Sequence, residues 1–195
     1  FPGMILWGGG TTGPTAAPGV YQIRMTTDGR SQTQPLRVRR NPLFKDVTDA
    51  DLQAQFDLAI QVRDRTSEAN NAVVRIRDLK SQVTDRLTQS PDATLKTAGD
   101  RLVRNISAVE QEIYQVKNQS GQDPLNFPIK LNNRLASLLS SVNRGDSRPI
   151  GNAPAIFKDL TAELKVQTDA LAKVMATDLG AFNTEATRLG LVPIK

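Results

Sequence analysis

From Thr48 to Gln89 the chain contains neither glycine nor proline, whereas its first 44 residues are punctuated by both. That contrast permits a long helix in the second part and confines the first to short strands and turns. At 1.5 Å per residue the uninterrupted stretch predicts one helix of ~60 Å. Its apolar residues keep a near-heptad spacing: Leu52, Ala59, Thr66, Val73 and Leu87 at one position, Phe56, Val62, Ala69, Ile76 and Val83 at the other. Thr48 followed three residues on by Asp51 resembles a capping box with Asp in place of Glu, and Asp49 and Asp51 suit the positive end of a helix dipole.

Three further helices follow. Ser90-Pro91 reads as a restart, with Ser as N-cap and Pro at the first helical position. Leu95, Leu102, Val109 and Val116, with Gly99, Ile106 and Ile113, form a second seam at 3.5 spacing. After a polar connector from Asn118 to Pro128, helix three carries Leu131, Leu135, Leu138, Leu139 and Val142. Residues 144–153 break the chain through Gly145, Pro149 and Gly151. Asn152 and Pro154 then open a last helix striped by Phe157, Leu160, Leu164, Leu171, Val174 and Leu179, with Gly180 and Gly190 marking a fraying end. Matching stripes predict an antiparallel bundle with a thin core of Leu, Ile, Val and Ala. Helices of this kind are marginal alone and are held by packing.

In the first part Met4 to Trp7 reads as a short strand and Gly8 to Pro14 as a flexible loop. Val20 to Thr27 and Arg30 to about Arg39 read as a hairpin turning on Asp28-Gly29. Folding there sets Tyr21 opposite Leu36, Ile23 opposite Gln34 and Met25 opposite Gln32. Tyr21, Ile23, Met25, Leu36 and Val38 then share one face. Pro35 marks its strand as an edge or one whose amide points outward. Two or three strands bury little surface alone, so this sheet needs further strands or another body to lean on. The expected fold is α+β, mainly α: a small antiparallel sheet within residues 1–44 and a bundle of about four helices over 45–195.

Composition excludes much chemistry. The chain has 195 residues with no Cys and no His. Disulfides, thiolate or imidazole metal sites, cysteine nucleophiles and Ser-His-Asp triads are all ruled out. Charge is uneven. Residues 1–47 hold six basic residues (Arg24, Arg30, Arg37, Arg39, Arg40, Lys45) against Asp28 and Asp46, while residues 48–195 hold nineteen basic and eighteen acidic residues. The basic bias of the first part suits phosphate, anionic lipid or an acidic protein, and its plainest reading is a solvated patch. No segment approaches the ~20 apolar residues of a membrane span. Phe1 to Trp7 is too short, and lacks the basic flank, for a signal peptide. A chain opening on Phe is expected to be a processed protein or a piece of a longer one.

Few residues invite a chemical role. Glu110 and Glu112 lie two apart on a helix and point to different sides. Asp159 and Glu163 share a face beside Lys158 and Lys165, as a surface charge lattice does. Gly8 to Gly13 lacks the Lys-Ser/Thr ending of a phosphate loop and precedes no helix. Arg37, Arg39 and Arg40, followed by Lys45, have no aromatic among the arginines for base stacking, and Arg37 and Arg39 project from one strand face, so nucleic-acid binding is not expected. Asn105 and Asn118 stand in glycosylation sequons of a kind common by chance. The connector around Leu125 and Phe127 reads as an ordered corner, with both apolar side chains tucked under the bundle and its Asn and Gln side chains bonding backbone. No catalytic, cofactor-binding or metal-ligating residue is expected, and no cofactor. The candidate partner contacts are Arg24, Arg37, Arg39, Arg40, Trp7, Leu125 and Phe127.

Several strings carry a family resemblance. Pro2 to Gly8, Ala17 to Arg24, Asp28-Gly29 and Thr33 to Val38 are similar to the C-terminal region of large bacterial sortilin-like proteins. Those are WD40-like β-propellers with BNR repeats, often named glycosyl hydrolases. Asp51 to Phe56, Arg63 to Asn70 and Asn118 to Leu135 extend the resemblance over nearly the whole chain. It implies an exported, periplasmic or extracellular protein, and a sheet over 1–44 that completes an immunoglobulin-like sandwich, here incomplete. The propeller that would hold a carbohydrate-active site has no counterpart in these residues, so no family catalytic residue carries over.

The leading expectation is a non-catalytic, extracytoplasmic structural and interaction module, an accessory piece of a larger membrane-anchored assembly of protein subunits. The alternative is the C-terminal accessory domain of a sortilin-like hydrolase. A weaker third is an enzyme working through carboxylates alone.

Overall fold

Thr48 starts the longest element as its sequence requires. Its Oγ1 accepts from the Asp51 amide at 3.1 Å, and Asp51 Oδ2 accepts from the Thr48 amide at 3.0 Å. This capping box opens α1, which runs Asp49–Gln89 over 41 residues. The architecture is that of a computed structural model describing residues 1–149 and 151–195.

The restart after α1 differs from expectation. Ser90 precedes Pro91, which holds it in extended backbone (φ −144°, ψ 118°) and ends α1 there, and the next helix starts two residues further on. Asp92 takes the N-cap: its carboxylate accepts from the amides of Thr94 and Leu95, both at 2.9 Å. Helix α2 spans Ala93–Ile113. The seam does not reach Val116, which is exposed. Gln115 turns inward after the helix and donates to the Pro128 carbonyl at 2.9 Å, taking the chain off the helical path.

Helix α3 is Leu131–Val142, with Leu131, Leu135, Leu138, Leu139 and Val142 buried as their spacing predicts. Helix α4 (Ala153–Val174) continues through a π-turn at Met175–Leu179 into α5 (Gly180–Arg188) without leaving helical dihedrals. No end forms at Gly180; Phe182 and Ala186 beyond it are fully buried. The rod stops at Gly190, whose φ of +72° allows a Schellman closure. The Leu191 amide reaches the Ala186 carbonyl at 2.9 Å and the Gly190 amide that of Thr187 at 3.0 Å.

The helical rods pack antiparallel. Arg77 and Lys80 of α1 meet Glu110 of α2, while Val83 and Leu87 meet Gly99. Across α1 and α3, Asn70 faces Asn132, and Gln55 donates to the Val142 carbonyl at 2.7 Å. Asp92 and Asp178 tie α2 to the last rod through Arg188 and Arg101. One core runs through the bundle, with Ile76, Leu79, Leu102, Ile106, Leu135, Leu164 and Phe182 among its most buried side chains. Among the described residues no helix is long and apolar enough to cross a membrane.

The sheet is a two-stranded antiparallel hairpin, β1 (Gly19–Thr27) with β2 (Arg30–Val38). Its register sets Tyr21 opposite Leu36, Ile23 opposite Gln34 and Met25 opposite Gln32, as folding about Asp28-Gly29 requires. Both turn residues have positive φ, 46° and 74°, the mark of a type I′ turn. Met4–Trp7 is not a strand. It lies against the bundle, where side chains take up its polar backbone: the Ile5 amide donates to the Tyr114 hydroxyl at 3.2 Å, and that hydroxyl donates to the Gly3 carbonyl at 3.3 Å. Phe1 packs edge-on against the Tyr114 ring, with the Arg77 guanidinium over both rings.

Candidate interaction surface

Alternation along the hairpin separates two faces. One holds Tyr21, Ile23, Met25, Leu36 and Val38; the other holds Arg24, Arg37 and the Thr26–Ser31 hydroxyl pair at 2.8 Å. Among the described residues nothing covers the apolar face beyond Val38. Ile23 is 54% and Met25 60% exposed, and of both strands only Val38 is half-buried. Tyr21 is partly held by its own hydroxyl, which donates to the Ala17 carbonyl at 2.7 Å.

At the base of the hairpin a groove of ≈ 550 Å³ opens between the strand ends and the start of α1. Arg37, Arg39, Arg40 and Lys45 line it, with Phe44 and Asp49. The structure therefore brings three of the candidate arginines together. Arg40 is committed to the scaffold: it donates to the Val47 carbonyl and approaches Asp49 at 3.6 Å. Among the described residues Arg37, Arg39 and Lys45 have no carboxylate partner. Their positive charge is left to solvent or to a ligand.

The other candidates lie apart from this groove. Arg24 stands further up the hairpin. Trp7 is clamped to α3: its amide donates to Asn133 Oδ1 and its carbonyl accepts from Asn133 Nδ2, each at 2.6 Å. The indole itself is exposed. Gly9 makes this seat possible, because a Cβ there would lie 2.8 Å from Ala136 Cβ.

Leu125 and Phe127 do not both tuck under the bundle. Leu125 is 68% exposed on a short 3₁₀ turn, Asp123–Leu125; Phe127 is half-buried with Lys117 Nζ 5.5 Å from its ring. The corner is ordered by Asp123 as well as by Gln115. The Asp123 carboxylate accepts from the amides of Gln119 and Ser120, and these bonds hold it below the usual carboxylate range. Pulling the chain into that tight turn leaves Leu125 on the outside.

Two carboxylates, Glu110 and Asp178, are buried, which their place in the sequence does not signal. Glu110 is nearly inaccessible and receives Arg77 Nε at 2.8 Å and Lys80 Nζ at 2.5 Å. Burial pushes its carboxyl up, but the bonds and charges of Lys80 and Arg77 outweigh that and hold it below the ordinary value. Glu112 points away to Lys130, as the two-residue offset predicts. Asp178, in the π-turn, is 3% exposed; Asn105 donates to its Oδ2 at 2.5 Å and Arg101 Nη2 stands 2.8 Å from Oδ1, out of line for a hydrogen bond. No periodic signal announces a carboxylate inside a helical seam; the Arg and Lys on the facing helix were the only clue. Glu163 pairs with Arg134 of α3, at 2.5 and 2.9 Å, and not with its own neighbouring lysines.

Each of these carboxylates has cationic partners that neutralise it in place, which is the geometry of inter-helix bracing. The hairpin and groove are different: among the described residues, exposed apolar area and the charges of Arg37, Arg39 and Lys45 stand together without a carboxylate partner. No protein-family model, curated protein or solved structure matches the chain.

Proposed function

We propose that this chain is a non-catalytic, extracytoplasmic structural and interaction module, an accessory piece that joins a larger, membrane-anchored assembly of protein subunits by docking its hairpin. One observation carries the reading: a well-registered hairpin keeps Tyr21, Ile23, Met25 and Leu36 of its apolar face exposed beside a basic groove. An isolated two-stranded ribbon is marginal in water, and exposed apolar patches of this kind serve as contact surfaces. The bundle supplies the rigid mount. Its ion pairs and continuous core do not depend on the hairpin, so the strands are free to be completed by a neighbour.

The test is to isolate the native protein under mild conditions, measure the intact mass of the chain and its stoichiometric companions, and follow amide exchange across residues 19–38 before and after dissociation. A constant protein companion, with hairpin exchange slow in the complex and fast in the free chain, supports the reading. A native chain that is alone and exchanges fast at the hairpin overturns it, as does glycan hydrolysis by the chain itself.

A second reading rests on the open hairpin edges and the sortilin-like resemblance. Here the sheet is completed by upstream residues of the same polypeptide, as an immunoglobulin-like sandwich following a propeller. A native chain much heavier than 21.3 kDa favours it.

A further inference from the structure

The two edges of the hairpin are not equivalent. In a two-residue type I′ hairpin the residues flanking the turn, Thr27 and Arg30, exchange hydrogen bonds, and alternate pairs point outward. The register therefore turns the amides of Val20, Gln22, Arg24 and Thr26 to the outer edge of β1. On β2 the outward positions are Ser31, Thr33, Pro35 and Arg37. Pro35 has no N–H, so the β2 edge lacks a donor midway along, a common way of blocking an edge. The β1 edge is complete, and all nine of its residues are exposed.

We propose that the β1 edge accepts an extended segment of a protein partner as a third, antiparallel strand, and that acidic residues at the C-terminal end of that segment lodge against Arg37, Arg39 and Lys45. This rests on the interaction-module reading above and names the chemistry of the partner. The polarity follows from the fold. An antiparallel strand beside β1 runs from Thr27 towards Gly19, so its C-terminal end arrives at the groove, whose rim includes Gly19 and Val20. Main-chain bonds along β1 supply affinity, and the groove sets direction and specificity. Alternate residues of the added strand extend the face of Tyr21, Ile23 and Met25 and are apolar. The six basic residues against two acidic in residues 1–47 provide the charge complementarity, with Arg24 flanking the approach.

The experiment uses the full chain and three synthetic probes: an alternating Val/Thr peptide with a Glu run at its C-terminus, the same peptide with that run at its N-terminus, and an oligo-Glu peptide. Binding is read by fluorescence anisotropy. The first probe is expected to bind at least about tenfold tighter than either other, a difference of ~1.4 kcal/mol. Gln22→Pro removes an outward β1 donor and weakens binding at least about tenfold, whereas Thr33→Pro, on the β2 edge, leaves it unchanged. Cross-strand Tyr21–Leu36 contacts in NMR spectra verify that each variant keeps its hairpin. Arg37→Gln with Arg39→Gln weakens binding about three- to tenfold and flattens its salt dependence.

Equal binding of the two peptide polarities overturns the proposal, as does equal loss in Gln22→Pro and Thr33→Pro. Equally tight binding of oligo-Glu reduces the groove to an anion patch and also overturns it. If the peptides fail while the native protein keeps a companion that protects the hairpin, the interaction-module reading survives and strand addition falls. If the native chain is alone and unprotected, both fall.

Discussion

Gly99 sits at a close approach of α1, α2 and α5. A Cβ there would lie 3.2 Å from Leu87 Cδ1, Phe182 Cε2 and Val83 Cγ1. Two effects of Gly99→Ala oppose each other. Alanine gains about 1 kcal/mol over glycine in a helix interior, while overpacking a filled core costs about 1–3 kcal/mol. All three neighbours must give way together, Val83 and Phe182 are fully buried, and valine is stiff at χ1. Overpacking therefore wins, and Gly99→Ala lowers stability by about 1 kcal/mol. Phe182→Leu removes the ring atom that Cβ meets. In that background Gly99→Ala should be neutral or stabilising by about 0.5 kcal/mol, a coupling of about 1–1.5 kcal/mol. Urea unfolding followed by far-UV circular dichroism, run as a double-mutant cycle with a common m-value, measures it. Coupling within about 0.3 kcal/mol of zero, or stabilisation by Gly99→Ala in the wild-type background, would refute both the close approach and the packing of α5 against α2.

Glu110 makes stability sensitive to acid. Because its folded pKa is lowered, its contribution is present above the unfolded value of about 4.3 and is lost as pH falls through the folded value. Glu110→Gln should cost about 1–2 kcal/mol at neutral pH and flatten the fall of melting temperature below about pH 4.5; identical acid slopes in the two proteins would count against the Arg77–Glu110–Lys80 bracing. Gly9→Val cannot seat against Ala136, so the chain's one Trp, Trp7, should show red-shifted, depolarised emission while the helical signal persists. Unchanged Trp7 emission would mean that residues 1–13 are not held by α3. Asp92→Ala should cost about 1 kcal/mol and Ser90→Ala only a few tenths; the reverse order in thermal melts would return the cap of α2 to Ser90.

Much of the scaffold was legible because its signals are local. The capping box at Thr48 and the Asp28-Gly29 turn each depend on residues within a few positions, and both stand as read. The seams of α1 and α3 follow from periodicity. The errors fall where a local preference met a second constraint. Ser90 is a good N-cap residue, but Asp92 offers a carboxylate two positions on, and it is that carboxylate which takes the Thr94 and Leu95 amides. Gly180 looked like an end because glycine is a poor helix former; the burial of Phe182 and Ala186 outweighs its propensity and carries the helix through. Val116 kept the seam's spacing, yet Gln115 had already turned into the bundle. Met4–Trp7 had the composition of a strand, but the backbone found Tyr114 and Asn133 instead of a strand partner.

The candidate surface divides in the same way. That Arg37 and Arg39 lie near one another follows from their two-residue spacing on a strand, and the shared face of Tyr21, Ile23 and Met25 follows from alternation. Sequence alone determined the helical bundle, the hairpin, its register and the basic bias of the first part, because each is set by spacing along the chain. Only the tertiary structure decided that the apolar face stays uncovered, that Arg40 is tied to Val47 and Asp49 while Arg37 and Arg39 are not, and that Leu125 faces outward. Only there, too, do Glu110 and Asp178 meet their cations. Those outcomes depend on which surfaces compete for burial once the helices have packed, and that competition involves residues distant in sequence.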